Sequence, residues 1–154
     1  MLQRHSYQFA IDRALKRSPI CALFGPRQCG KTTLAKALAA EQPSQSHYFD
    51  LESPKDQLRL QNAEQALKEL TGLVVLDEIQ VRPDLFPILR VLADRADRKA
   101  IFLILGSASP ELIQRSAESL AGRVEFIDLH GFDLGEVTKG LPERFGNITS
   151  FIEP

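Results

Sequence analysis

The residues with the clearest chemistry are Gly25-Pro26-Arg27-Gln28-Cys29-Gly30-Lys31-Thr32, a full match to glycine, any four residues, glycine, lysine and serine or threonine. The glycines let the backbone turn tightly enough for successive N–H groups to face phosphate oxygens. A helix beginning at Lys31 would add its positive end. In such a loop the lysine reaches the β- and γ-phosphates of a nucleoside triphosphate, and the Thr32 hydroxyl ligates magnesium. The candidate nucleotide contacts are therefore Gly25, Pro26, Arg27, Gln28, Cys29, Gly30, Lys31, Thr32 and Thr33. Lys31 reads as a ligand contact whose loss removes binding and spares the fold. The competing reading, a structural glycine turn, is countered by the apolar strand before the loop and the amphipathic helix after it.

Three further groups belong with this loop. Leu73-Val74-Val75-Leu76-Asp77-Glu78 is an apolar run that delivers two carboxylates to the end of a strand, the edge where open α/β sheets bind ligands. Asp77 is expected to hold magnesium, directly or through water, and Glu78 to polarise the attacking water. Without the loop, two acids there would read as a solvated edge. Ser107, in Leu105-Gly106-Ser107-Ala108-Ser109, is the small polar group expected to reach the γ-phosphate or the attacking water. Ser109 reads instead as the N-cap of a helix opening at Pro110. Arg123, after Leu120-Ala121-Gly122, has two readings: an arginine reaching a neighbouring subunit's γ-phosphate, or an exposed arginine near a helix C-terminus. Arg115 is its rival.

Adjacent acids suit an ATPase that activates water, whereas a small-molecule kinase must exclude it. The guanine-specifying pattern N-K-x-D is absent, because Asn62 and Asn147 are followed by Ala and Ile; ATP is favoured over GTP. His5, His47 and His130 share no metal-ligand spacing and read as surface or satisfied side chains. Cys21 and Cys29 form neither a disulfide framework nor a metal site.

The elements that must position these groups alternate along the chain. Apolar runs at 20–24, 47–51, 73–76, 101–105 and 124–129 read as five strands. Helices are expected at 31–40, with Leu34, Ala35 and Leu38 inward, and at 56–70 in one or two pieces, with Leu58, Ala66, Leu67 and Leu70 inward. A third spans 85–96, with Asp84 as N-cap, Pro87 in its first turn and Leu85, Ile88, Leu89 and Leu92 as its apolar stripe. A fourth runs from Pro110 to a glycine stop at Gly122. Strands alternating with helices predict an α/β, doubly wound fold with a parallel sheet covered on both faces. The expected organisation is an N-terminal helix or arm at 1–18, a core at 19–130 and a tail or linker at 131–154.

Bulk properties fit one domain of ordinary composition: 154 residues, 44% hydrophobic and 25% charged. A net charge of −1 gives no support for nucleic acid or an anionic membrane as partner. Residues 1–40 nevertheless carry seven Lys or Arg against Asp12 alone, leaving 12 basic and 19 acidic residues elsewhere. That segment holds the phosphate loop, although most of its charges also fit a solvated helix face. No apolar run approaches the ~20 residues of a membrane span, no signal peptide is legible, and a reducing cytoplasm is expected.

In this order, these elements resemble the AAA-superfamily ATPases. More narrowly, Gly-Pro-Arg-Gln-Cys-Gly-Lys-Thr-Thr-Leu, Leu-Asp-Glu-Ile-Gln, Leu-Phe-Pro-Ile-Leu-Arg, Leu-Gly-Ser-Ala-Ser-Pro and Leu-Ala-Gly-Arg look like one prokaryotic branch. Its members usually continue into a winged-helix-like piece and a restriction-nuclease-like domain. The resemblance covers roughly residues 13–136 and implies strand order 5-1-4-3-2. It also implies Lys31 and Thr32 as Walker A, Asp77 and Glu78 as Walker B, Ser107 as sensor 1 and Arg123 as arginine finger. The helical lid such ATPases carry after the fifth strand is expected to be missing, as in an excised or truncated chain. Two functions remain open: an ATPase coupled to remodelling a partner, with head-to-tail self-association, and a nucleotide-gated switch set by ATP or ADP.

Overall fold

The computed structural model describes residues 4–41 and 45–131 of the chain. Five strands, β1 (Ile20–Gly25), β2 (Ser46–Asp50), β3 (Gly72–Asp77), β4 (Ala100–Ser107) and β5 (Val124–Asp128), form one parallel sheet in the order β2-β3-β4-β1-β5. That is the expected order read from its other edge. Among the described residues six α-helices connect or flank the strands: α1 (His5–Arg17), α2 (Lys31–Glu41), α3 (Pro54–Arg59), α4 (Ala63–Lys68), α5 (Leu85–Ala93) and α6 (Pro110–Ser119).

Alternation along the central strands splits the core in two. Ile20, Ala22 and Phe24 of β1, Val74 and Leu76 of β3, and Phe102 and Ile104 of β4 face α4, α5 and α6. Their neighbours Cys21, Leu23, Leu73, Val75, Leu103 and Leu105 face α1 and α2. A sheet buried on both faces needs continuous apolar strands, which is why β1 is buried at every residue. Phe24, Phe86 and Phe102 are fully enclosed, each contributing about 1.5–3 kcal/mol of burial. Of the expected N-terminal helix or arm, residues 5–17 form α1, whose Ile11, Ala14 and Leu15 belong to the second cluster.

Two local expectations are corrected. Leu58 is 71% exposed, and the inward positions of that region are Leu60, Ala63 and Leu67. The helix breaks after Arg59 and restarts at Ala63, with the Asn62 side chain accepting from Gln65 N at 3.5 Å, so the helical phase is reset. Asp84 stands where the cap was expected but makes no capping hydrogen bond. Its carboxylate instead takes the Arg82 guanidinium at 2.8 and 2.9 Å, which holds it below the usual carboxylate range. Leu34, Ala35 and Leu38 point inward as expected, and Ser109 caps α6 by accepting from Leu112 N at 3.2 Å. The expected tail, 131–154, lies outside the described residues beyond Gly131.

Candidate functional site

Parallel strands bring their C-terminal ends to one edge, and all the sequence candidates but Arg123 and Arg115 lie on or next to it. Gly25 ends β1, Asp77 ends β3 and Ser107 ends β4, with Gly25 and Ser107 paired in register. The loop after β1 turns through Gln28 and Gly30, both at positive φ (61° and 94°), and feeds α2 at Lys31. Gly25 is required by close approach: a Cβ there would lie 2.3 Å from the Leu129 carbonyl oxygen and 3.0 Å from Cys29 Sγ. Pro26, Arg27 and Gln28 are exposed, as is Thr33, while Cys29 is buried and Gly30 half-buried.

Lys31 is buried, and its ammonium donates to the carbonyls of Gly25 at 2.9 Å and Pro26 at 2.7 Å. The lysine therefore also holds the shape of its own loop. Arg4 adds a brace that the sequence did not suggest. Its guanidinium donates to Cys29 O at 2.9 Å and to His130 O at 2.8 Å, tying the loop to the chain leaving β5.

Asp77 is 4% exposed. Its Oδ2 accepts from the Thr32 hydroxyl at 2.7 Å and from the Tyr48 phenol, while Oδ1 is buried without a hydrogen-bond partner. Burial, and then the bond to Asp77, push the Tyr48 hydroxyl well above the usual phenol range. A buried carboxylate oxygen without a donor is costly, and a cation discharges that cost. Among the described residues no cluster of three or more His, Cys, Asp or Glu side chains could hold a metal. Magnesium does not need one: it keeps several waters and takes one or two carboxylates plus substrate phosphates. Asp77 and Thr32 fit that demand.

Glu78 sits in the left-handed region (φ 61°, ψ 49°) before a 3₁₀ turn over Ile79–Val81. That conformation costs of order 1–3 kcal/mol in a residue with a Cβ, and such strain concentrates at functional sites. The Gln80 amide donates to the Glu78 carboxylate and accepts from Ser107 N at 3.4 Å. Only one orientation of the amide satisfies both bonds, so Gln80 links the second acid to the end of β4. Nothing in the sequence beyond its place in the Leu-Asp-Glu-Ile-Gln run pointed to it.

Arg123 lies elsewhere. It precedes β5 at the opposite edge of the sheet, where its carbonyl accepts from Ile20 N. Its guanidinium is paired with both oxygens of Asp94 (2.7 and 2.8 Å), raising the arginine and lowering the aspartate from their ordinary values. It is not brought together with this chain's own phosphate loop. Arg115 lines a small cavity of about 130 Å³ with Gln80, Pro83, Ser109, Glu111 and Leu112, beside the site. A cavity of about 160 Å³, lined in part by Lys68, Arg95, Lys99 and Phe102, opens at the start of β4, away from every candidate. His5 and His130 are exposed, but His47 Nε2 is buried without a partner, a correction to its reading as satisfied. Cys21 and Cys29 are free and buried; burial foremost, and then Glu125, push the Cys21 thiol up to about 12.

A parallel sheet with a glycine-bounded loop between β1 and α2, and a buried aspartate ending β3, defines the P-loop NTPase class. Residues 17–138 match the AAA domain family AAA_14, and the chain belongs to it. Uncharacterized protein Rv2008c of Mycobacterium tuberculosis and uncharacterized protein Mb2031c of Mycobacterium bovis are each 46% identical over 144 residues, 94% of this chain. The chain spans about a third (32%) of the length of those relatives. Among solved structures, the Walker-type ATPase PABY2304 of Pyrococcus abyssi superimposes with a TM-score of 0.65 at 15% identity, covering 90% of this chain and 56% of that one. The P-loop NTPase domain of a sigma-54 transport activator from E. coli gives 0.52 at 16% identity, covering 85% and 99%. These likenesses carry the fold. The protein is an AAA-type P-loop NTPase domain, a nucleotide-binding fold, and no helix among the described residues is long and apolar enough to cross a membrane.

Proposed function

We propose that this domain binds magnesium-ATP at residues 25–33 and hydrolyses it, with Lys31, Glu78 and Ser107 around the phosphates and Thr32 and Asp77 at the metal. The observation that carries the reading is the orphaned Oδ1 of Asp77, buried beside the Thr32 hydroxyl at the mouth of the loop. On binding, Lys31 exchanges the Gly25 and Pro26 carbonyls for phosphate oxygens, and the loop amides take up the remaining charge. Magnesium, held by Thr32 and Asp77, would supply neutralisation of the phosphate charge. Glu78, held by Gln80, orients water and accepts its proton.

Hydrolysis is coupled to remodelling a partner, whose contacts we place in the further length carried by the relatives. A C-terminal nuclease-like region there belongs to the same proposal. Arg123, remote from this chain's loop, suits service to a neighbour's nucleotide in a head-to-tail assembly. Two free buried thiols suit a reducing cytoplasm. A second reading is a nucleotide-gated switch, in which bound ATP or ADP sets assembly and there is little turnover. Turnover and nucleotide retention in Glu78→Gln test the two together. The ATPase reading expects slow ATP turnover in wild type, and bound triphosphate retained without turnover in the variant. Equal turnover in both proteins removes Glu78 from the mechanism, and retention of ATP by wild type itself supports the switch.

A further inference from the structure

We infer that Tyr48 is a positioning residue of the magnesium site: its phenol fixes the Asp77 carboxylate so that Oδ1 is the oxygen left for a cation. The inference rests on the proposed assignment of Asp77 and Thr32 to the metal. Tyr48 lies on β2, opposite Val75 in register, and its side chain reaches Asp77 two residues further along β3. Its ring packs against the cluster under α2, with the Lys36 ammonium 5.3 Å from the ring centroid. A phenylalanine could make those apolar contacts. What tyrosine adds is one hydroxyl, and that hydroxyl donates to Asp77 Oδ2.

Two donors on one carboxylate oxygen make an orienting device. Thr32 donates to Oδ2 at 2.7 Å, and Tyr48 donates to the same atom from the neighbouring strand. Together the two bonds fix the plane of the carboxylate, so that one oxygen position, the one Oδ1 fills, stays open. Thr32 spends its single proton on Oδ2, which leaves its lone pairs for a metal. Partners that orient a metal's ligands typically set metal affinity by about 10–100-fold without touching the ion.

The test compares binding of a non-hydrolysable ATP analogue by calorimetry, with magnesium and with chelator. In Tyr48→Phe the affinity gained on adding magnesium should shrink by about tenfold or more. The metal-free affinity should stay at its wild-type value. An unchanged gain, or an equal loss in both conditions, overturns the inference, the second outcome being what a packing role alone produces. Asp77→Asn separates the two layers. If it abolishes the gain while Tyr48→Phe does not, only the role of Tyr48 is wrong. If it leaves the gain intact, the metal-site reading falls and Tyr48 with it. A second measurement needs no Tyr48 variant: the chain has no tryptophan and two tyrosines, Tyr7 and Tyr48, so in Tyr7→Phe the ultraviolet emission comes from Tyr48 alone. Adding magnesium to the analogue complex should change that emission, and an identical signal with and without metal counts against the inference.

Discussion

Asp77→Asn is the perturbation in which function and stability should part company. A buried carboxylate held only by structural bonds costs about 3–5 kcal/mol when its pairing is broken. Asp77 is nearly as buried as such a group, but one of its two carboxylate oxygens has no hydrogen-bond partner. The amide keeps an acceptor for Thr32 and Tyr48. It loses the charge assistance of those two bonds, about 1 kcal/mol each and about 2 kcal/mol together. Against this, an unsatisfied charged oxygen is replaced by an unsatisfied neutral NH2, the less costly of the two to bury, which returns part of that loss. The terms partly cancel. The melting temperature without nucleotide should therefore stay within about 1 kcal/mol of wild type, or about 2–4 °C for a domain of this size. The magnesium-dependent gain in ATP affinity should disappear. Thermal melting of the apo proteins and paired titrations with magnesium and with chelator give both numbers. A fall above about 6 °C, with the magnesium dependence intact, would mark Asp77 as a structural carboxylate and refute the reasoning.

Other consequences follow from the same geometry. Gln80→Leu should slow ATP turnover and leave ATP affinity unchanged, because the lost bonds lead to Glu78 and Ser107 rather than to the phosphate loop; steady-state kinetics that show a change in affinity alone would contradict this. Gly25→Ala should destabilise the domain, by an amount in the upper range of single substitutions, about 3 kcal/mol or more, because the new Cβ meets a backbone oxygen at 2.3 Å; chemical denaturation measures it. Arg123→Ala should lower turnover in assembled protein by as much as about 10³-fold with ATP affinity intact. Mixing it with Lys31→Ala subunits should restore activity, and no recovery in co-assembled mixtures would leave Arg123 as the surface partner of Asp94.

The sheet was legible because parallel strands buried on both faces must be continuously apolar, and residues 20–24, 73–76 and 101–105 could be little else. The loop was legible because backbone approach to phosphate demands glycine at fixed spacing. What the sequence hid depends on tertiary placement. Tyr48 looks like one more strand aromatic until β2 is set beside β3, and Arg4 is 126 residues from the His130 carbonyl it holds. Leu58 was misplaced because the break at Leu60–Asn62 resets the helical phase within a stretch whose apolar spacing reads as continuous.

The central claim is that the loop at residues 25–32 binds the triphosphate through Lys31, and calorimetric titration of wild type and Lys31→Ala with magnesium-ATP tests it most directly. The account predicts one site per chain in wild type and loss of tight binding in a variant that remains folded by circular dichroism. Equal affinity in the two proteins would contradict it.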